Sequence, residues 1–109
     1  MSNQICKLSD LPDGLARGYE LSIAGQKISL ILIHQSGQVY AYQNSCPHTG
    51  VSLDWMPDEF MDVSGKLLQC ATHGALFQPQ DGYCIHGPCA GSYLKKLTIQ
   101  IKNSIVYLD

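Results

Sequence analysis

Ile28-Ser29-Leu30-Ile31-Leu32-Ile33 is apolar at five of six positions and β-branched at three. Such a run, with almost no polar alternation, reads as a strand covered on both faces. Ala24-Gly25-Gln26 before it and Gln35-Ser36-Gly37-Gln38 after it carry turn chemistry. Residues 19–23 and 39–42, beyond those turns, supply the flanking strands. Nearer the C-terminus, Leu97, Ile99 and Ile101 alternate with Thr98, Gln100 and Lys102. That period predicts a strand with one buried face. An Asn103-Ser104 turn then leads into Ile105-Val106-Tyr107-Leu108, so the chain ends in a hairpin. The expected fold class is all-β, with an antiparallel, sandwich-like base.

The chain has 109 residues, enough for one domain and too few for a separate substrate domain. Hydrophobic residues make up 45% and charged residues 15%, which permits a buried core and excludes a disordered tail. The net charge of −2 argues against a general nucleic-acid or anionic-membrane binder. The longest aliphatic run, Leu30-Ile31-Leu32-Ile33, is too short to span a bilayer. The N-terminus, MSNQICKLSD, has no basic-then-apolar signal segment, so a cytoplasmic location is expected. Five cysteines is an odd number, and without a secretion signal a disulfide framework is not expected.

Composition shifts in the middle. Residues 44–93 hold six of the ten glycines, four of the five prolines and four of the five cysteines. No helical stripe runs there beyond one turn at residues 58–61. We therefore expect a single domain over 1–109, with a base of about 1–43 and 95–109 and a loop-rich, chemistry-bearing subdomain of about 44–94.

Two short motifs sit in that subdomain: Cys46-Pro47-His48 and Cys70-Ala71-Thr72-His73. Gly50 and Gly74 follow the histidines, where backbone is expected to approach a bound centre closely. Two thiolates and two imidazoles satisfy a tetrahedral zinc, as in a structural zinc-binding domain. Zinc pairs usually leave two or more residues between ligands, however. A single intervening residue suits a centre with two metal positions, one ion taking the cysteine and its neighbour the histidine. A 2Fe–2S cluster with two cysteines on one iron and two histidines on the other is such a centre.

Cys46-Pro47-His48-Thr49-Gly50 followed by Cys70-Ala71-Thr72-His73-Gly74 resembles the two cluster-binding loops of Rieske iron–sulfur proteins. Gly87-Pro88 resembles the proline loop that covers the cluster in that family. Gly37-Gln38-Val39-Tyr40-Ala41 and residues 94–99 are similar to strands of Rieske ferredoxins, so the likeness covers essentially the whole chain. The resemblance implies one 2Fe–2S cluster at the tip of a small cluster-binding subdomain. Cys46 and Cys70 would bind the inner iron and His48 and His73 the outer one, with Gly50, Gly74, Ala75, Phe77 and Pro88 around them. An oxidised cluster core with two thiolates is about neutral, whereas four thiolates leave it dianionic. Histidine ligation therefore raises the reduction potential. This is electron-carrier chemistry and needs no catalytic residue.

Respiratory members of the family carry an extra cysteine in each loop, and the matching positions here are Val51 and Thr72. They also place a serine and a tyrosine where this chain has Ala75 and Phe77. Hydroxyl donors stabilise the reduced state, so their absence predicts a potential near the low end of the Rieske range, roughly −150 mV. The resemblance then implies a soluble ferredoxin, not itself an enzyme. Its expected partners are a flavin-containing reductase and a Rieske oxygenase or other redox acceptor, with no nucleic acid and no membrane. A catalytic oxygenase subunit is not expected, because residues from Tyr93 onward contain no histidine for a mononuclear iron site. The small subunit of an NAD(P)H-dependent nitrite reductase is the alternative.

Other residues carry weaker signals. Cys84 and Cys89 flank His86-Gly87-Pro88; they read as packing side chains in preference to a local disulfide or redox-sensitive pair. Cys6 reads as a plain thiol in the first strand. His34 and His86 read as structural or surface histidines. Residues 44–94 hold Asp54, Asp58, Glu59, Asp62 and Asp81 against Lys66, a net of −4, which either steers a basic partner or is a solvated loop. Trp55, Met56, Phe60 and Met61 are expected to pack that segment down.

Overall fold

The computed structural model describes residues 4–45, 60–61, 65–70, 74–88 and 90–109. Its strands are β1 (Gln4–Lys7), β2 (Ala16–Ile23), β3 (Gln26–Gln35), β4 (Gln38–Gln43), β5 (Leu68–Gln69), β6 (Leu76–Phe77), β7 (Cys84–His86), β8 (Ile99–Lys102) and β9 (Ile105–Leu108). A 3-10 turn, Leu8–Asp10, follows β1. The strands form three antiparallel sheets of three, ordered β1-β9-β8, β2-β3-β4 and β5-β6-β7. Among the described residues there is no α-helix. The fold is all-β.

The 28–33 run lies in β3, the central strand of its sheet, paired with β2 from Ala16↔Ile33 to Ile23↔Gln26 and with β4 from Leu30↔Gln43 to Gln35↔Gln38. Alternate side chains of a strand face opposite ways, and β3 divides accordingly. Leu30 and Leu32 join Cys6, Leu11, Ala41 and Val106 in one core. Ile31 and Ile33 join Tyr42, Phe60, Leu68, Cys70, Phe77 and Cys84 in a second. Each fully buried aliphatic side chain contributes about 1.5–3 kcal/mol. A slip of one residue in β3 would exchange both sets, so the register is strongly specified.

Three two-residue turns close the long hairpins. Ala24 and Gly25, Ser36 and Gly37, and Asn103 and Ser104 all have positive φ, between 52° and 79°. Positive φ at both central residues matches the twist of the flanking strands. At the second turn the Asp13 carboxylate accepts the Ser36 and Gly37 N–H groups at 3.1 and 3.0 Å.

Residues 95–97 lie beside β4, where Gln43 N–H donates to the Lys95 carbonyl and Leu97 N–H to the Ala41 carbonyl, both at 2.9 Å. The chain then crosses into β8 of the other sheet, which joins the two sheets at a corner. β8 departs from the one-sided strand expected of it, since Ile101 is 45% exposed and Ile99 only half-buried. It is the edge of its sheet, and Val106, opposite Ile101 on β9, occupies the buried position instead. The helical turn expected at 58–61 is also absent at its described end, because Met61 forms a β-bridge with Leu68. Residues 58–59 lie outside the described residues.

Tyr42 ties the β2-β3-β4 sheet to the β6–β7 connection. Its side chain is fully buried and its hydroxyl donates to the Pro79 carbonyl at 2.5 Å. Burial, with a smaller contribution from Asp81, pushes the phenol pKa up, so it remains a protonated donor. The ring packs against Gly82, where a Cβ would sit 2.8 Å from Tyr42 Cε1. Tyr42→Phe leaves that carbonyl without its donor and is expected to cost about 1–2 kcal/mol. Urea unfolding should show a lower midpoint at unchanged m-value.

Candidate metal centre

β5 and β6 pair in the register Leu68↔Phe77 and Gln69↔Leu76. The ladder continues for one further rung, where Cys70 N–H donates to the Ala75 carbonyl at 2.9 Å. Gly74 N–H then donates back to the Cys70 carbonyl, also at 2.9 Å. Cys70 therefore sits at the end of the β5–β6 hairpin ladder, hydrogen-bonded to both Ala75 and Gly74. Cys70 is fully buried in the core that also holds Ala75, Phe77 and Cys84. Gly74 adopts φ +66°, and among the described residues nothing beyond its chain neighbours lies within 4 Å of where its Cβ would be. Its conformation is what requires glycine there.

The third loop is closed at its base by Cys84 N–H donating to the Ser92 carbonyl at 2.8 Å and Gly91 N–H to the Cys84 carbonyl at 3.0 Å. Within it, Ala90 N–H donates to the Gly87 carbonyl at 3.1 Å, which makes a turn with Pro88 at the position its fixed φ favours. Pro88 itself is exposed. Gly87 has φ +105°, and a Cβ there would lie 2.7 Å from Ala75 Cα and 3.2 Å from Ala75 N. The proline turn thus rests directly on the backbone of the β5–β6 hairpin. Cys84 Sγ donates to the His86 carbonyl at 3.2 Å.

The first motif begins at the end of β4. Asn44 N–H donates to the Ser29 carbonyl at 3.0 Å and Ser45 N–H to the Gln43 carbonyl at 2.9 Å, so the backbone entering Cys46 is held on the sheet. Cys46, His48, Gly50, Val51, Thr72, His73 and Cys89 lie outside the described residues, as do Asp54, Trp55, Met56, Asp58, Glu59 and Asp62. Among the described residues no group of three or more His, Cys, Asp or Glu converges on a point. Of the expected ligands the structure therefore describes Cys70 alone. The residues expected around it, Gly74, Ala75 and Phe77, share its hairpin, and Gly87 brings Pro88's turn against them.

The remaining singled-out residues have structural roles. His34 Nδ1 donates to the Leu11 carbonyl at 2.7 Å, and its backbone exchanges hydrogen bonds with Gly14 and Leu15. Cys6 lies in β1, its thiol pKa raised by burial. His86 is exposed opposite Leu76. Phe60 is fully buried and Met61 packs on the same core. Reading by motif missed Tyr42 and the Gly87–Ala75 contact. Gly87-Pro88 signals a turn, but a contact between residues twelve apart on different loops has no local signature.

The model of the Rieske [2Fe-2S] domain matches residues 2–102. The chain belongs to the Rieske [2Fe–2S] domain family. Its fold is similar to that of a ferredoxin from Sphingomonas yanoikuyae B1, at 22% identity and TM-score 0.75, covering 100% of this chain and 98% of that one. It is also similar to a chain in the complex of reduced oxygenase and oxidized ferredoxin in carbazole 1,9a-dioxygenase, at 24% identity and TM-score 0.73, covering 97% and 99%. Cholesterol 7-desaturase of Caenorhabditis elegans is 31% identical over 74 residues, which are 63% of this chain and 15% of that protein. No helix among the described residues is long and apolar enough to cross a membrane.

A Rieske domain implies a [2Fe–2S] cluster, which when bound supplies one-electron redox chemistry. The described residues fit it. Cys70 supplies a fully buried thiol at the end of the β5–β6 hairpin ladder. Ala75 and Phe77 keep hydroxyl groups out of that core, and the Gly87 contact holds the covering turn in place.

Proposed function

We propose that this chain is a Rieske ferredoxin, a one-electron carrier rather than an enzyme. In this reading Cys46 and Cys70 hold one iron of the cluster and His48 and His73 the other. Residues of about 44–94 form the cluster-binding subdomain on a base of about 1–43 and 95–109. Electrons arrive from a flavin-containing reductase and leave to an oxygenase-type acceptor, in the cytoplasm. The observation that carries the reading is the nearly end-to-end correspondence with a ferredoxin, 100% of this chain against 98% of that one. Reduced carrier, made by a flavin reductase and mixed with a separately purified Rieske oxygenase, should be reoxidised in step with product formation. A carrier that no reductase reduces contradicts the proposal.

The potential gives a second test. Ala75 and Phe77 are fully buried and carry no hydroxyl, so the reduced state lacks donors at those positions. We expect a midpoint of roughly −150 mV, the low end for His/Cys-ligated clusters. A clearly positive value in a redox titration contradicts this.

The desaturase alignment favours a second reading, in which the same domain feeds an oxygenase site within one larger assembly. The chain spans 15% of that relative's length. A protein that is reduced normally yet donates to no separate oxygenase supports this arrangement.

A further inference from the structure

β8 is the outer strand of the β1-β9-β8 sheet. Its ladder with β9 extends one rung past Ile99↔Leu108, where Asp109 N–H donates to the Thr98 carbonyl at 2.9 Å. Antiparallel rungs that exchange backbone bonds alternate with rungs that do not. Thr98, Gln100 and Lys102 therefore turn their N–H and C=O groups toward β9, and Ile99 and Ile101 turn theirs outward. The Leu97 N–H also points outward and is taken by the Ala41 carbonyl. Among the described residues no backbone bond reaches Ile99 or Ile101 from that side. The Ile101 side chain is 45% exposed and belongs to neither core. Open backbone groups beside an exposed apolar side chain make this edge a template for another strand.

The strand that fits is β8 itself. Residues with outward groups must stand opposite one another, and Leu97 is already engaged. Two copies therefore pair fully only with Ile99 opposite Ile101 of the second copy and Ile101 opposite its Ile99. Each strand ends at Lys102, because positive φ at Asn103 and Ser104 turns the chain back into β9. It thus stops short of the Leu97–Ala41 bond. The same register sets Gln100 opposite Gln100, and Lys102 opposite Thr98 of the second copy. Thr98 stands next to Asp109 on one face of the sheet, and Lys102 and Asp109 are both exposed. Each lysine reaches across the threonine toward a carboxylate, and no like charges meet. A two-fold axis through the Gln100 pair makes the contact closed and self-complementary. We propose that this chain self-associates through antiparallel pairing of β8 with β8 of a second copy, burying Ile101 and placing Lys102 of each beside Asp109 of the other. The contact uses none of the proposed cluster ligands and stands whether or not that ligand set is right.

Two four-residue strands cover less than the roughly 1,200–2,000 Å² of a stable interface, so half-association is expected at about 0.1–1 mM. Sedimentation velocity of the full chain, from about 10 µM to about 2 mM, should show the coefficient rising toward that of a dimer. Ile101→Lys should weaken association about tenfold or more, whereas Ile85→Lys, at an exposed isoleucine on β7, should associate as the parent does. Lys102→Asp and Asp109→Lys should each weaken it about threefold to tenfold, by setting like charges side by side. The double variant Lys102→Asp/Asp109→Lys should recover the parent's association. A monomer at every concentration, association indifferent to Ile101→Lys, or charge variants without that loss and recovery overturns the proposal.

Discussion

Cys70→Ser should abolish assembly of the centre: iron content falls from about two atoms per chain to near zero, and the visible absorbance of the loaded protein disappears. The expectation rests on the proposed ligand set and on where the residue sits. Cys70 is fully buried at the end of the β5–β6 hairpin ladder, its backbone hydrogen-bonded at 2.9 Å to both Ala75 and Gly74. A serine hydroxyl has the size but not the softness that iron–sulfur ligation requires, and it does not ionise near neutral pH. Cys6→Ser is the matching control. Cys6 belongs to the other core, with Leu11, Leu30 and Val106, so that variant should retain full iron. Equal iron loss in both variants would point to misfolding, and retention in Cys70→Ser would remove Cys70 from the ligand set.

Gly87→Ala should have the second-largest effect. The added methyl would lie 2.7 Å from Ala75 Cα, a backbone atom in the β5–β6 hairpin, at a φ of +105°. A flexible side chain could swing aside from such a contact. The Cys70–Ala75 rung cannot move without breaking its hydrogen bond. Conformational strain of about 1–2 kcal/mol and overpacking of about 1–3 kcal/mol therefore combine. The melting temperature should fall by about 10–20 °C, with faster bleaching of the loaded protein as the proline turn lifts away. Gly25→Ala separates the two contributions. Gly25 has φ +79°, and among the described residues nothing beyond its chain neighbours lies within 4 Å of where its Cβ would be. It meets the conformational strain alone and should lose about 1–2 kcal/mol. Similar losses at Gly25 and Gly87 would show that the contact with Ala75 is unimportant.

Sequence and structure agree most closely where interactions are local. The 28–33 run, bounded by two-residue turns, identified the central strand because a double-faced strand must be apolar on both faces, and Leu30/Leu32 and Ile31/Ile33 do enter separate cores. Asn103-Ser104 marked its hairpin for the same reason: turn chemistry lies within the turn. Alternation at Leu97, Ile99 and Ile101 was less informative, since a period of two does not tell an edge strand from a central one. Ile101 accordingly emerges 45% exposed. The two Cys/His motifs stand out in the sequence by spacing and resemblance, and of the ligands proposed from them the structure describes Cys70 alone; what holds the described part of the site together was not legible. Gly87 on Ala75, and Tyr42 on Pro79 and Gly82, join segments that the chain brings together only through the fold.

The electron paramagnetic resonance spectrum of the dithionite-reduced, iron-loaded protein tests the central claim most directly. The expected result is a rhombic signal of low average g, the signature of a [2Fe–2S] cluster ligated by both histidine and cysteine. A colourless protein with stoichiometric zinc, or a signal of all-cysteine ligation, would contradict it.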